Sequence, residues 1–430
     1  MILKVSWKNL WSKPLNTALS VILLTSSVAI ITLLLVLQEQ FENKFYKNIE
    51  GIDLVMGAQG SPLQLILSSV YHIDTPTGNI SYKEAKTWMN HPYIEKAIPL
   101  AFGDNYKGYK IVGTTSDYIQ KFNAKLAQGD SFEEDFDVVI GAALAENLNL
   151  KVGDEFFGTH GESQDEAHIH EEYAYRVVGI LEKTGKVIDN LVLCTIESVW
   201  LIHDEHHHHD HEDEEHVHDE HCNHDHDHEE HVHDEHCNHD HEYELNPDEQ
   251  DITAVLLKVK NKMAFVSWPR LIPQNSKMQV ASPTIEINRL FSLFGIGIEL
   301  IKYLGIGIMC IAGGSIFIAL YNKLKDRKYE FAIMRINGAT KSQLFGLVLF
   351  EGLTLSIIAF FLGSVIARVG LYLVSKMIAS EYKMEFDPFV FLWSKEGALL
   401  LGTIFVALLA SVVPAIKAYR LDISKTLNNI

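Results

Sequence analysis

The chain has 430 residues, with 36 basic and 56 acidic side chains, 22 histidines and 4 cysteines, a length that suits two or three domains. The net charge of −20 is local: residues 203–250 hold 20 Asp or Glu, 17 of the histidines and no Lys or Arg, and the remainder balances at 36 of each sign. This argues against a basic nucleic-acid-binding surface, and the 47% apolar residues gather in runs too long for a soluble enzyme.

Residues 1–17 read as a cytoplasmic segment carrying Lys4, Lys8 and Lys13. Residues 18–37 are uncharged, enough at 1.5 Å per residue to cross ~30 Å of hydrocarbon. The stretch exceeds a signal-peptide core and no small-x-small cleavage site follows, so it is expected to be an uncleaved signal anchor. Phe41 and Phe45 at helical spacing carry that helix onward.

Residues 38–290 form one large extracytoplasmic domain. Residues 137–140 predict a strand, 142–149 a helix, 151–154 a turn with Gly153 at the strained position, and 155–158 another strand. Residues 173–181, 189–194 and 252–259 predict further strands. The mixture predicts an α+β fold: four transmembrane helices with a mixed α/β domain between the first two. Residues 179–186 superficially resemble a phosphate-binding loop. One residue too many separates the glycines, and Val187 replaces the magnesium-binding hydroxyl. A strand and a turn are the better reading.

The acidic tract at 203–250 is the most unusual segment. HVHDEHCNHDH occurs at 216–226 and again at 231–241, a period of fifteen. Neutral imidazoles interleaved with carboxylates and a thiolate are ligands for Zn²⁺ and Cu²⁺. The affinity order favours copper, but a copper trap would be richer in Met and Cys, so zinc is the expected cofactor, other divalent metals being alternatives. The expected ligands are His206, His207, His208, His209, His211, His216, His218, His221, Cys222, His224, His226, His228, His231, His233, His236, Cys237, His239 and His241. With only two valines between positions 203 and 240, the tract is expected to be a disordered loop inserted between strands. A solvated spacer that binds metal incidentally, or a Cys222–Cys237 disulfide, are the competing readings. Cys194 and Cys310 are expected to be inert packing residues.

Residues 291–321 predict a stalk and second span, 322–343 a connecting loop, 344–367 a third span broken only by Glu351, 368–396 an outer loop, 397–416 a fourth span and 417–430 a tail. The N-terminal segment, the 322–343 loop and the tail are all basic, which places them and both termini in the cytoplasm. In the third span Ala359, Gly363 and Ala367 share one face, where small residues let helices approach. Ionisable residues near the spans reduce to Glu351, with Glu299 and Lys302 at the boundary, too few for an ion pathway. The membrane part therefore reads as a transmitter. The 322–343 loop predicts a basic helix, a break at Gly338 and a new helix near Thr340. Glu330, Phe331, Ile333 and Met334 make a mixed apolar and charged surface suited to a cleft on a soluble partner, and a simple positive-inside connector is the competing reading.

The segment RKYEFAIMRINGATKSQLFGLVLFEGL resembles the signature of the FtsX-like, or MacB-type, ABC transporter permeases, with Arg327, Glu330, Arg335, Gly338, Ala339 and Glu351 on its pattern. PAIKAYRLD at 414–422 resembles the family's closing motif. VVIGAALAENLNLKVGDEF and VVGILEKTGKVIDNLV resemble its core domain. The resemblance implies a non-catalytic permease in the bacterial inner membrane. It implies a homodimer bound to separate cytoplasmic ATPase subunits through Arg327, Glu330, Phe331, Met334, Arg335, Gly338 and Ala339. It also implies that ATP-driven motion passes to the periplasm without substrate crossing between the spans, and leaves room for a periplasmic or outer-membrane partner besides membrane lipid. No nucleic-acid partner is expected. The His tract departs from the family pattern and points to zinc or another divalent metal. The alternatives are an exporter of lipoproteins, peptides or drugs with an incidental loop, and a membrane-bound metal sensor or buffer.

Overall fold

The computed structural model describes residues 14–159, 169–209, 246–382 and 386–421. It opens with α1 (Pro14–Ile49), one uninterrupted helix of 36 residues. Phe45 and Ile49 are buried near its far end, on the helical continuation that the Phe41/Phe45 spacing predicts.

The domain after it contains, in chain order, β1 (Leu54–Ala58), α2 (Pro62–Tyr71), β2 (Ile80–Ser81), α3 (Tyr82–Met89), β3 (Ile94–Tyr106), β4 (Tyr109–Gly113), α4 (Ser116–Lys121), β5 (Leu126–Gly129), β6 (Asp137–Ile140), α5 (Ala142–Leu148), β7 (Glu155–Thr159) and β8 (Ile169–Leu181). A 3-10 turn (Val187–Asn190), β9 (Val192–Cys194), α6 (Ile196–His209), β10 (Asp251–Ile252), β11 (Ala254–Val259), α7 (Lys262–Asn275) and β12 (Met278–Ala281) complete it. Ten strands form one sheet in the order β12-β1-β11-β3-β4-β9-β6-β8-β5, with β7 against β3 and β8; β2 and β10 pair separately. The β4–β9 and β6–β8 pairs are parallel and the others antiparallel. Every residue of β6, β9 and β12 is buried. Strands covered on both faces lose the alternating pattern, which is why these read as short apolar runs.

Two readings of this domain need correction, and a third agrees. The expected strand 189–194 is a strand only from Val192. Before it, the buried Asp189 carboxylate accepts the amides of Thr184 (3.0 Å) and Gly185 (2.7 Å) and the Thr184 hydroxyl (2.8 Å), and this local capture winds the chain into a turn. The His-rich tract leaves from helix α6, not from a strand. Its first histidines, His206–His209, lie on the last turn of that helix and not in an irregular loop; His211 to His241, with Cys222 and Cys237, lie outside the described residues. Gly153 takes φ +96°, the left-handed conformation that the predicted turn demands.

The remaining helices are α8 (Pro283–Asp326), α9 (Lys328–Ile336), α10 (Lys341–Tyr382) and α11 (Trp393–Tyr419). Four of the helices, α1, α8, α10 and α11, are long and apolar enough to cross a membrane. The chain divides into two compact units, Lys44–Asn288 and the flanking residues up to Asn43 and from Arg289. Within the membrane unit, a Cβ at Gly363 of α10 would lie 2.8 Å from Thr25 O and Val28 of α1. Ala359 and Ala367 are buried, so the small-residue face does bring helices close. Ser27 Oγ donates to Gly305 O at 2.7 Å across α1 and α8.

Two further corrections concern this unit. The expected outer loop 368–396 is helical as far as Tyr382. It also hides an ion pair: Arg368 Nη2 donates to both oxygens of Glu396 at 3.0 Å, and Glu396 is wholly buried. Cys310 is exposed and so is not the packed residue expected, whereas Cys194 is buried and burial pushes its thiol up.

Candidate coupling helix

The connection between the second and third spans is built from local rules that the sequence spells out. α8 ends at Asp326 and Arg327 breaks the run with φ −106° and ψ 20°. The chain still bonds across the break, Arg327 N to Lys323 O at 3.0 Å and Phe331 N to Arg327 O at 3.1 Å. Arg327 Nε donates to Glu330 Oε2 at 2.6 Å one turn on, an exposed pair worth ~0.3–0.5 kcal/mol.

α9 closes on a Schellman motif. Ala339 N donates to Met334 O (2.9 Å) and Gly338 N to Arg335 O (3.2 Å), with Gly338 in the left-handed region at φ +93°. Arg335 Nη1 donates to Ala339 O at 3.0 Å and braces the turn from outside. A capping box then opens α10: Thr340 N donates to Gln343 Oε1 (2.9 Å) and Gln343 N to Thr340 Oγ1 (3.2 Å). The sequence NGATKSQ is therefore a stop followed by a start.

Packing divides α9 into two faces. Phe331 and Ala332 are buried, Phe331 in a cluster with Leu320, Leu324, Leu344 and Val348. Burying such a ring contributes ~2–3 kcal/mol and holds the helix against α8 and α10. The expectation that Phe331 faces a partner is thus corrected, since it is the anchor. Met334 is half-buried. The exposed apolar side chains are Tyr329, Ile333 and Ile336, at i, i+4 and i+7, with Glu330 beside them. Lys323, Arg327, Phe331 and Glu351 line one small pocket beneath, and Lys323 and Glu351 are buried there. Arg327, Glu330, Arg335, Gly338 and Ala339 thus shape the turn and its braces. Tyr329 and Ile336 were not singled out by sequence, although their spacing with Ile333 was the available signal.

In the inter-span domain, the end of α1 is tied down by hydrogen bonds to Asn48. Lys121 Nζ donates to Asn48 O, Val187 N donates to Asn48 Oδ1 at 2.9 Å, and Lys186 Nζ donates to Phe122 O at 3.0 Å. Burial, reinforced by the Lys186 charge and opposed by Glu50, pushes Lys121 down to about 6. His72 caps α2 in the left-handed conformation (φ 55°) and its Nε2 lies 2.9 Å from the Tyr118 hydroxyl. Burial, then the charges of Lys110 and Lys121, push its imidazole down to about 3. Among the described residues no cluster of three or more His, Cys, Asp or Glu is placed to hold a metal.

Residues 303–423 match the FtsX-like permease C-terminal family and residues 17–212 match the MacB-like periplasmic core domain family. The chain is an FtsX-like permease with a MacB-like periplasmic core domain. It is thereby a permease subunit of a MacB/FtsX-type ABC transporter, and the segment 327–351 just described lies within the first match. Residues 213–302, with most of the His tract, lie between the two matches. Similar solved structures include the following two. The periplasmic region of MacB from Actinobacillus actinomycetemcomitans shows 13% identity and a TM-score of 0.33, over 57% of this chain and 97% of that one. The extracellular domain of the noncanonic ABC-type transporter YknZ from Gram-positive bacteria shows 11% identity and a TM-score of 0.29, over 54% and 99%. No curated protein matches.

Proposed function

We propose that this permease carries the motion of a separate cytoplasmic ATPase to its inter-span domain, and that the task concerns zinc or a related divalent metal. The observation that carries the first half is the exposed Tyr329–Ile333–Ile336 stripe on α9. The helix is anchored from behind by Phe331 and closed by a fixed turn, so it presents a rigid apolar ridge of the kind that seats in a groove. The ATPase then lies on the side of the basic 322–343 connection, with both termini, in the cytoplasm of a bacterial inner membrane. The chain itself is non-catalytic in this reading, and two copies work together.

The metal half rests on ligand density in the tract 203–250, where imidazole, carboxylate and thiolate alternate. A test separates the halves. Cell zinc content and growth under chelation are compared for a strain lacking the gene and one lacking only residues 203–242. Equal defects support metal handling. A defect in the full deletion alone points to a cargo unrelated to the tract, such as a lipoprotein or peptide. For the first half, Ile333→Cys should cross-link to the ATPase in membranes, and Ala332→Cys, on the buried face, should not.

A further inference from the structure

The turn that joins the third and fourth spans holds two of the most exposed aromatic side chains among the described residues, Phe389 at 84% and Trp393 at 82%. Their exposure is not the result of a slack loop. Gln40 holds the turn with two hydrogen bonds to the Asp387 backbone, its Nε2 donating to O at 2.7 Å and its Oε1 accepting from N at 2.8 Å. Phe386 is buried against Val36 and Leu371, and its amide donates to Ser375 Oγ at 2.7 Å. On the other side, Glu396 accepts the Leu392 amide at 3.2 Å while bound to Arg368. Phe389 N donates to Asp387 Oδ1 at 2.8 Å, and Phe391 packs edge-on to Trp393 with centroids 4.6 Å apart. A frame fixed at both ends thus presents two bare rings outward.

We propose that Phe389 and Trp393 form a wedge seated in the bilayer at the boundary between headgroups and acyl chains. The depth follows from helix geometry. The uncharged stretch of α11 runs from Gly397 to Ile416, twenty residues that fill ~30 Å of hydrocarbon. Trp393 stands four residues before it, ~6 Å further out, where an indole keeps its ring in apolar surroundings and its N–H in reach of polar ones. The neighbouring surface is continuous with lipid-facing helix. Leu401 and Phe405 of α11 and Leu373 and Met377 of α10 are all exposed. Exposed Lys376 stands on the same end of α10, where a lysine meets lipid phosphates. A wedge on a frame this stiff fixes the depth of the α10–α11 hairpin and gives the other helices something to move against.

The test uses the full chain reconstituted in vesicles of phosphatidylcholine and phosphatidylglycerol, with plain or brominated acyl chains. Fluorescence of the parent minus that of Trp393→Phe isolates the Trp393 signal, and the retained ring preserves the packing with Phe391. A blue-shifted difference signal, lost in brominated vesicles and indifferent to aqueous iodide, is expected. A signal quenched by iodide and untouched by bromine would place the ring in water and overturn the proposal. A signal shielded from both quenchers would do the same, because a protein surface would then cover the rings.

Discussion

His72 offers a sharp physical test of the inter-span domain. Its ring is enclosed, edge-on to Phe102, with Nε2 on the Tyr118 hydroxyl and Nδ1 without a hydrogen-bond partner. The unfolded chain binds a proton here near pH 6.5, whereas burial and the charges of Lys110 and Lys121 hold the folded value at about 3. Between these values the unfolded state carries the extra proton, so stability falls as the pH falls. The linkage amounts to at most ~1.4 kcal/mol per pH unit, or about 2–3 kcal/mol between pH 6.5 and pH 4.5. His72→Asn removes the titration and keeps a residue that tolerates the left-handed cap. The assay is urea unfolding of residues 44–288 at several pH values. The parent should lose about 2–3 kcal/mol more than the variant over that interval, whatever the variant's offset at neutral pH. Parallel curves would refute the reasoning, because they would mean that the imidazole is free to protonate in the fold.

Other expectations follow from the same structure. Phe331→Ala should destabilise the membrane unit by ~3–5 kcal/mol, seen as a lower melting temperature in detergent, because the ring fills the core between α8 and α10. Glu396→Gln should cost ~1–3 kcal/mol by leaving the partly exposed Arg368 without its counter-charge, and replacing both residues by apolar ones should recover much of the loss in the same melting assay. Removing residues 203–242 should leave the cooperative unfolding of the inter-span domain intact, since the tract has no core-forming side chains and closure cost varies slowly with loop length. Calorimetry on the same pair should show zinc bound by the parent, weakened near pH 5 as imidazoles protonate, and mostly lost in the deletion.

The parts legible in the sequence were those fixed by local chemistry. Twenty uncharged residues at 18–37, the Gly153 turn and the stop–start at Gly338 and Thr340 each carry their own instruction. The parts that were not legible depend on which partner a side chain takes, near or far along the chain. Residues 189–190 look like the start of a strand, and only the Asp189 carboxylate, folded back on Thr184 and Gly185, makes them part of a turn. In α9 two apolar faces compete over nine residues, and nothing local says that Phe331 turns inward and Ile336 outward. The packing of α8 and α10 decides it. The Arg368–Glu396 pair spans 28 positions and joins the interior of α10 to the first turn of α11, so neither residue announces the other.

The coupling of an ATPase through the outward ridge of α9 is the central claim. Burying an isoleucine fully contributes ~1.5–3 kcal/mol. Ile333 is 38% exposed and Ile336 60% exposed, so together they have about 1.5–3 kcal/mol still to gain against a partner. Losing it corresponds to a roughly ten- to hundredfold weaker complex. The decisive measurement is ATP hydrolysis by the partner ATPase, titrated against vesicles holding either the parent or the Ile333→Ser, Ile336→Ser variant. The account predicts that the variant melts like the parent yet needs about ten to a hundred times more ATPase for half-maximal stimulation. Stimulation at the parent's concentrations by an equally folded variant would contradict it.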